Sequence, residues 1–324
     1  MGVPLEGCTG RAPHGPRTAR SVHVVDNRAE IREFLMSRRA KITPAQAGLP
    51  PAGRRRVPGL RRIEVAMLAG VSVEYYSRLE RGDAAGVSAS ILDAIAGALQ
   101  LDGAERRHLL DLVRTSGATR APRRRTPVPR VRPTVQYVLD AITGASAIVH
   151  DGRLNHLGGN ALGRALFSPF FAMGDDQPNS ARYTFLDPRA PEFLRDWDKA
   201  ADDTVAILRA EAGRDPYDRN LSDLIGELST RSEEFRIRWA SHDVRIHATG
   251  TKRLHHPVVG DLDLSYESFP MPDQGQNLLV YVAEPGSPSH DALNLLASYV
   301  ATHHRVDPVE ARTASREGST DSSD

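Results

Sequence analysis

The stretch RRIEVAMLAGVSVEYYSRLER, Arg61–Arg81, decides the fold of the first part of this chain. Two short amphipathic segments flank Gly-Val-Ser. The spacing predicts a helix over Arg61–Ala69 with Val65, Ala66 and Leu68 turned inward. Gly70 ends it, because the turn there wants a residue free to adopt positive φ. Ser72 is an N-cap for a second helix, Val73–Arg81, which Gly82 closes. Val71, Tyr76 and Leu79 fall on the inner side of this unit. Val73, Glu74, Ser77 and Arg78 fall on the outer side, near the start of the second helix.

That arrangement is a helix-turn-helix, and it points to double-stranded DNA. In this motif the start of the second helix reaches base edges in the major groove. Arg78 suits bidentate donation to guanine, and Glu74 suits acceptance from a cytosine amine. Ser72, Tyr75 and Arg81 suit phosphates, which a helix N-terminus also favours.

Outward from the motif, residues 28–39 place Ile31, Phe34, Leu35 and Arg38 on one helical face. Pro44, Pro50, Pro51 and Pro58 then force a loop that carries Arg54, Arg55 and Arg56. Ser88 caps a fourth helix, with Ile91, Leu92, Ile95 and Leu99 at helical spacing. Asp102 and Glu105 form a capping box opening a fifth, through Arg114. Residues 1–26 lack periodicity and read as a disordered arm, and 116–133 as a Pro/Arg-rich linker, leaving 27–115 as a mainly α, five-helix domain. On these residues the region resembles the λ-repressor-like XRE helix-turn-helix domain, in the subgroup with a basic insert (GLPPAGRRRVPGLRR) before the second helix. The resemblance implies base contacts at Arg62, Val73, Glu74 and Arg78, and phosphate contacts at Ser72, Tyr75 and Arg54–Arg56. Val87 stands where the subgroup commonly has proline.

Charge divides the chain as the motif does. Residues 1–132 hold 24 Lys and Arg against 12 Asp and Glu, and the remainder holds 18 against 29, within a net charge of +1. A basic half joined to an acidic half fits a polyanion partner for the first half alone.

The second domain, 134–288, reads as helical first and strand-like later. Helices are expected over Thr134–Thr143, Asn155–Phe167, Ala190–Ala212 and Asn220–Leu228. Strands are expected over Val244–Thr249, Asp261–Phe269 and Asn277–Ala283. Residues 290–301 suit one more helix, within a 289–324 segment that ends in a polar tail expected to be disordered. The phrases FLDPRAPEFLRDWDKAADDTVAILRAEAGRDP, LIGELSTRSEEFRIRWASHDV and GTKRLHHPVVGDLDLSYESF resemble the C-terminal ligand-binding domain of MmyB-like regulators. The resemblance implies a PAS-like α+β fold, with an antiparallel sheet flanked by helices and a pocket between them. It also implies a small effector, with a fatty acid or similar apolar molecule as the leading candidate. Among the aromatic residues, Trp197, Trp239, Phe185 and Phe193 are the pocket candidates.

Several function classes are disfavoured. One cysteine, Cys8, forbids a disulfide framework or a cysteine zinc site. His255 and His256 are adjacent in a strand and should face opposite sides, so they make a poor metal pair. Nucleophile elbow, Walker and dinucleotide fingerprints are absent. No catalytic residues, metal or cofactor are expected. The chain reads as a cytoplasmic, nucleoid-associated transcriptional regulator that forms a homodimer and has no membrane partner. The alternatives are a second domain serving only for protein interaction or dimerisation, and an enzyme with a DNA-targeting arm.

Overall fold

A computed structural model describes residues 27–50, 59–116, 130–174, 177–241, 249–271 and 275–303. The expected N-terminal arm, Arg54–Arg56, most of the linker, the strand expected over Val244–Thr249 except its last residue, and the tail lie outside them.

The first region is all helical. α1 (Asn27–Lys41), α2 (Arg62–Leu68), α3 (Val73–Glu80), α4 (Ala89–Ala98) and α5 (Gly103–Ser116) enclose one core. Ile31, Phe34, Leu35, Val65, Tyr76, Leu79, Ile95 and Leu109 are fully buried there. The punctuation is as the residues dictate. Gly70 has φ +66° and Gly82 φ +87°. Ser72 Oγ accepts from Tyr75 N–H at 3.1 Å, and Ser88 Oγ from Ile91 N–H at 3.4 Å. Asp102 and Glu105 exchange bonds of 2.8 and 3.0 Å. Leu68, expected inside, is exposed, because the face that α2 buries runs through Val65, Ala66 and Ala69 and Leu68 falls outside it.

The second region packs helices on a five-stranded antiparallel sheet. After α6 (Pro133–Ala141) come β1 (Ser146–Asp151), β2 (His156–Gly159), α7 (Ala161–Leu166), α8 (Ser168–Phe171), α9 (Ser180–Leu186) and α10 (Ala190–Phe193). The chain continues through α11 (Trp197–Arg214), α12 (Arg219–Arg231), α13 (Glu233–Ala240), β3 (Thr249–His256), β4 (Gly260–Met271), β5 (Gln276–Val282) and α14 (Pro288–His303). The strand order is β2-β1-β5-β4-β3. Ile148 faces Leu279, Tyr266 faces Tyr281, and Lys252 faces Leu264 across neighbouring strands. One sheet face meets α7–α11 and α14, and the other, through Ala147 and Val149, is covered at β1 by Leu139 of α6.

Two expected helices change, and β1, β2 and all of β3 beyond Thr249 are strands that were not expected. The helix expected over Asn155–Phe167 begins only at Ala161. His156–Gly159 is a strand against β1, and Asn160 caps the shortened helix by accepting from Gly163 N–H at 2.7 Å. Two consecutive glycines weaken the helical alternative. β1 is wholly buried, Ser146, His150 and Asp151 included, and shows no alternation of the kind that announces a strand. The helix expected over Ala190–Ala212 breaks at Leu194, whose backbone is extended and bridges Leu254, while Arg195 N–H donates to Arg253 O at 3.1 Å. Pairing with β3 overrides local helical preference.

Candidate nucleic-acid interface and effector cavity

Each end of α3 is fixed before its outer face meets solvent. Ser72 caps the start, and Tyr76 and Leu79 anchor the inner side. Glu74 and Arg78 are exposed, and Val73, Tyr75 and Ser77 are half-buried beside them. The Arg78 guanidinium lies over the Tyr75 ring, 5.3 Å from its centroid, and 3.7 Å from Asp83. Such exposed pairs are weak, so Arg78 can leave for a stronger anion. Arg81 is exposed just after the helix.

Arg62 has a more constrained place. Glu80, 1% exposed, accepts from Arg62 Nε at 3.0 Å and from Arg39 at 2.8 Å. This carboxylate ties α1, α2 and α3 together. Burial, with Glu80 beside it, pushes the Tyr76 hydroxyl above the ordinary phenol range. Sequence periodicity put Tyr76 inside but gave no sign that Glu80 is buried too.

In the second region a cavity of about 420 Å³ lies between the sheet and α11. α11 presents Ala200, Asp203, Thr204, Ile207, Ala210, Glu211 and Arg214 to it, a single helical face. Ile148, Lys252, Tyr266, Leu279 and Tyr281 form the sheet side, with Phe167 and Phe170 beside them. Ala104, Arg107, His108 and Asp111 of α5 also line it, so the helix-turn-helix region supplies one wall. Such a volume and mixed lining suit a small-molecule site.

Burial perturbs the polar groups here. Desolvation pushes the Lys252 ammonium down to about 8 and raises Glu211 above the usual carboxylate range, although Arg214 beside Glu211 opposes that rise. His150 is lowered by burial, while its Nδ1 donates to Asp151 O at 2.8 Å. His156 Nε2 lies 2.7 Å from Ser180 Oγ, the spacing of a base and a nucleophile. Burial pushes His156 down to about 3, and its Nδ1 has no hydrogen-bond partner among the described residues. A base that weak takes no proton near neutral pH, so the pair fastens β2 to α9.

None of the four aromatic pocket candidates lines this cavity. Trp239 stacks on Phe235 at 5.5 Å and lies under the Arg209 guanidinium at 4.1 Å. Trp197 donates Nε1–H to Thr184 O at 2.9 Å and carries Arg238 on its face. Phe185 packs edge-on against Phe235, and Phe193 against Phe170 and Tyr183. Their faces and polar edges are occupied by one another and by guanidinium groups. Lys252, by contrast, carried a sequence signal that was not used: it alternates with Leu254 and His256 on the inward face of a strand.

The two regions also meet directly. Arg209 of α11 is 1% exposed and pairs with Glu30 of α1 at 2.7 Å, while also donating to Trp239 O. Thr115 Oγ1 donates to Gly213 O at 3.1 Å. A Cβ on Gly213 would lie 2.8 Å from the His108 ring, so glycine lets α5 approach α11.

A helix-turn-helix joined to a cavity-bearing α+β domain defines a class of DNA-binding transcription regulators with a ligand-binding domain. Comparison with protein families agrees. A helix-turn-helix domain model matches residues 36–109, and the MmyB-like transcription regulator ligand binding domain model matches residues 131–296, just over half of the chain. The chain belongs to this MmyB-like family. No curated protein matches it. Among the described residues no helix is long and apolar enough to cross a membrane.

Proposed function

We propose that this regulator reads its operator with α3 and answers to a small, largely apolar effector held between α11 and the sheet. One observation carries the reading of α3: its capped N-terminus leaves Glu74 and Arg78 exposed while Tyr76 and Leu79 hold the helix in place. Val73, Glu74, Ser77 and Arg78 meet base edges, and Ser72, Tyr75 and Arg81 meet phosphates. Arg62 pairs with Glu80 through Nε, and its half-exposed guanidinium also reaches the duplex. Arg54–Arg56 add phosphate contacts, which raise affinity without adding much sequence choice.

The effector belongs to the α11 cavity, and a fatty-acyl compound is its leading candidate. An antiparallel sheet flanked by helices with a cavity between them supports the PAS-like reading. The protein acts as a homodimer on half-sites about one helical turn, ~34 Å, apart. It works in the cytoplasm, on the nucleoid.

Fluorescence anisotropy with the chain's own upstream DNA tests the α3 assignment. Glu74→Ala and Arg78→Ala should relax base preference at single positions, with melting temperature unchanged. Equal binding by wild type and an Arg62→Ala/Arg78→Ala double variant overturns it. A melting temperature unmoved by every member of an acyl and metabolite panel favours a second domain that only binds protein, because a ligand of the native state must stabilise it.

A further inference from the structure

The outer face of the sheet is covered on one side only. Leu279 and Tyr281 line the cavity, so Leu278, Val280 and Val282 of β5 point the other way. There α6 lies over β1 and β2: Leu139 packs on Ala147 and Val149, and Gln136 Nε2 donates to Gly159 O at 3.2 Å. Beyond α6 the face is bare among the described residues. Ser265, Glu267 and Phe269 of β4 are exposed, and so are Thr249, Thr251 and Arg253 of β3. The sheet with α6 on it is therefore a step, one helix high.

Apolar side chains line both levels of the step. At about 100° per residue, Gln136 and Val138 fall on opposite flanks of α6, and Tyr137 points away from the sheet. Gln136 reaches β2, so Val138 overlooks β5, which lies on the other side of β1. Tyr137 and Val138 are exposed, and so, on the lower level, are Phe269 and Val282. Large apolar side chains gathered in one exposed place mark a surface that another molecule covers.

Shape and charge select that molecule. The bare strip β5-β4-β3 is two strand spacings across, about 10 Å, the width of one helix with its side chains. Under a two-fold rotation a second copy's α6 fills this strip, and the second copy's strip receives this α6. The step is thus complementary to itself, as a two-fold interface requires. The same rotation matches charge. α6 and β5 run the same way: Gln276, which opens β5, donates from Nε2 to Arg130 O just before α6, and Ser146, just after α6, pairs with Tyr281 near the end of β5. Rotation therefore carries Arg132, at the start of α6, over the far end of the partner's β5, where Glu284 is exposed.

Resting on the reading of the protein as a homodimer, we propose that its two copies join through this step. Each α6 sits on the other copy's β5 and β4, Val138 meets the partner's Val138 near the axis, and Arg132 meets the partner's Glu284.

Sedimentation velocity of the full chain over a range of concentrations reads the assembly. Wild type should be a dimer at micromolar concentration. Val138→Glu and Phe269→Glu each place a charge in the covered surface and should weaken the dimer about a hundredfold or more. Both positions are exposed in the single copy, so circular dichroism and melting of the dilute protein should match wild type. Leu295→Glu, at an equally exposed position on α14, should leave the dimer intact. Arg132→Glu and Glu284→Arg should each weaken it about tenfold, and the two together should restore it. Dimers that survive Val138→Glu and Phe269→Glu overturn the step and leave the homodimer reading standing. A double exchange that restores nothing overturns the two-fold register. A wild type that stays monomeric, alone and on operator DNA, overturns the homodimer reading itself.

Discussion

α3 turns Glu74 and Arg78 to solvent and commits Tyr76 and Leu79 to the core, whereas α11 turns Thr204, Ile207 and Ala210 toward the cavity. On α3 the inner side is buried and the outer side is free to meet another molecule. α11 is packed on three sides: Val205 and Leu208 meet α12 and α13, Arg209 and Gly213 meet the first region, Thr204, Ile207 and Ala210 line the cavity, and Asp198, Lys199 and Asp202 face solvent. A substitution on α3's outer face should therefore change binding without changing stability. A substitution at the buried positions of α11 should change stability, and some should change both.

The largest expected effect is at Arg209. Arg209→Met leaves the Glu30 carboxylate partly buried without its partner, and breaking such a pair costs roughly 3–5 kcal/mol. Urea unfolding should show that loss, and Glu30→Gln added to Arg209→Met should recover part of it. A loss below about 1 kcal/mol would mean that the seam between the domains is open in solution.

Next comes the outer face of α3. Arg78→Ala should weaken operator binding by about 1–3 kcal/mol and relax choice at one base position. Its melting curve should match wild type, since exposed substitutions stay within about 0.5 kcal/mol. A matched fall in stability and affinity would erase the contrast between the two helices.

Acid separates the domains in another way. His156 is pushed from 6.5 down to about 3 by burial, so the folded domain holds it neutral. The unfolded chain takes up that proton below its ordinary value. Stability is therefore full above pH 6.5 and falls as pH drops from there toward 3, by about 1.4 kcal/mol per unit for each such histidine. His150 and His256 are also lowered and add to the slope. Thermal melts between pH 7 and pH 5 should show the ligand-binding domain weakening, and His156→Gln should reduce the slope.

The smallest effect is expected at the cap of α3. Ser72→Ala removes the bond to Tyr75 N–H and should cost about 1 kcal/mol. Operator affinity should fall with it, because the same helix start faces the phosphates. Differential scanning calorimetry alongside anisotropy separates the two contributions.

The same contrast explains what the sequence made legible. Caps, turn glycines and one-sided helices are local devices, so Ser72, Gly70, Gly82 and the Asp102–Glu105 box could be read without a fold. The five helices of the first domain followed from them, and β4 and β5 from their alternation, whereas β3 was expected only at its first residue, Thr249. β1 was hidden because both its faces are buried, so the three apolar residues of SAIVHD sit together between polar ones and carry no period of two. The break at Leu194 was hidden because its cause lies about sixty residues away, in β3. The cavity was hidden for a related reason: Lys252, Ile207 and Ala104 meet only after three elements have packed. Aromatic residues drew the pocket expectation because they are large and amphipathic, yet in Trp197 and Trp239 those properties serve packing on arginine. Glu80 and Glu30 carry no local signal in the sequence and are structural partners of arginines.

The bridge from Leu194 to Leu254, with the Arg195–Arg253 bond beside it, matters beyond breaking a helix. β3 is the last strand of the sheet, and an outer strand with free main-chain groups is a template for another chain. Here two residues between α10 and α11 lie along that margin and occupy part of it. Growth of the sheet by a neighbour's strand is obstructed there, which protects against runaway strand-to-strand assembly in a crowded cell.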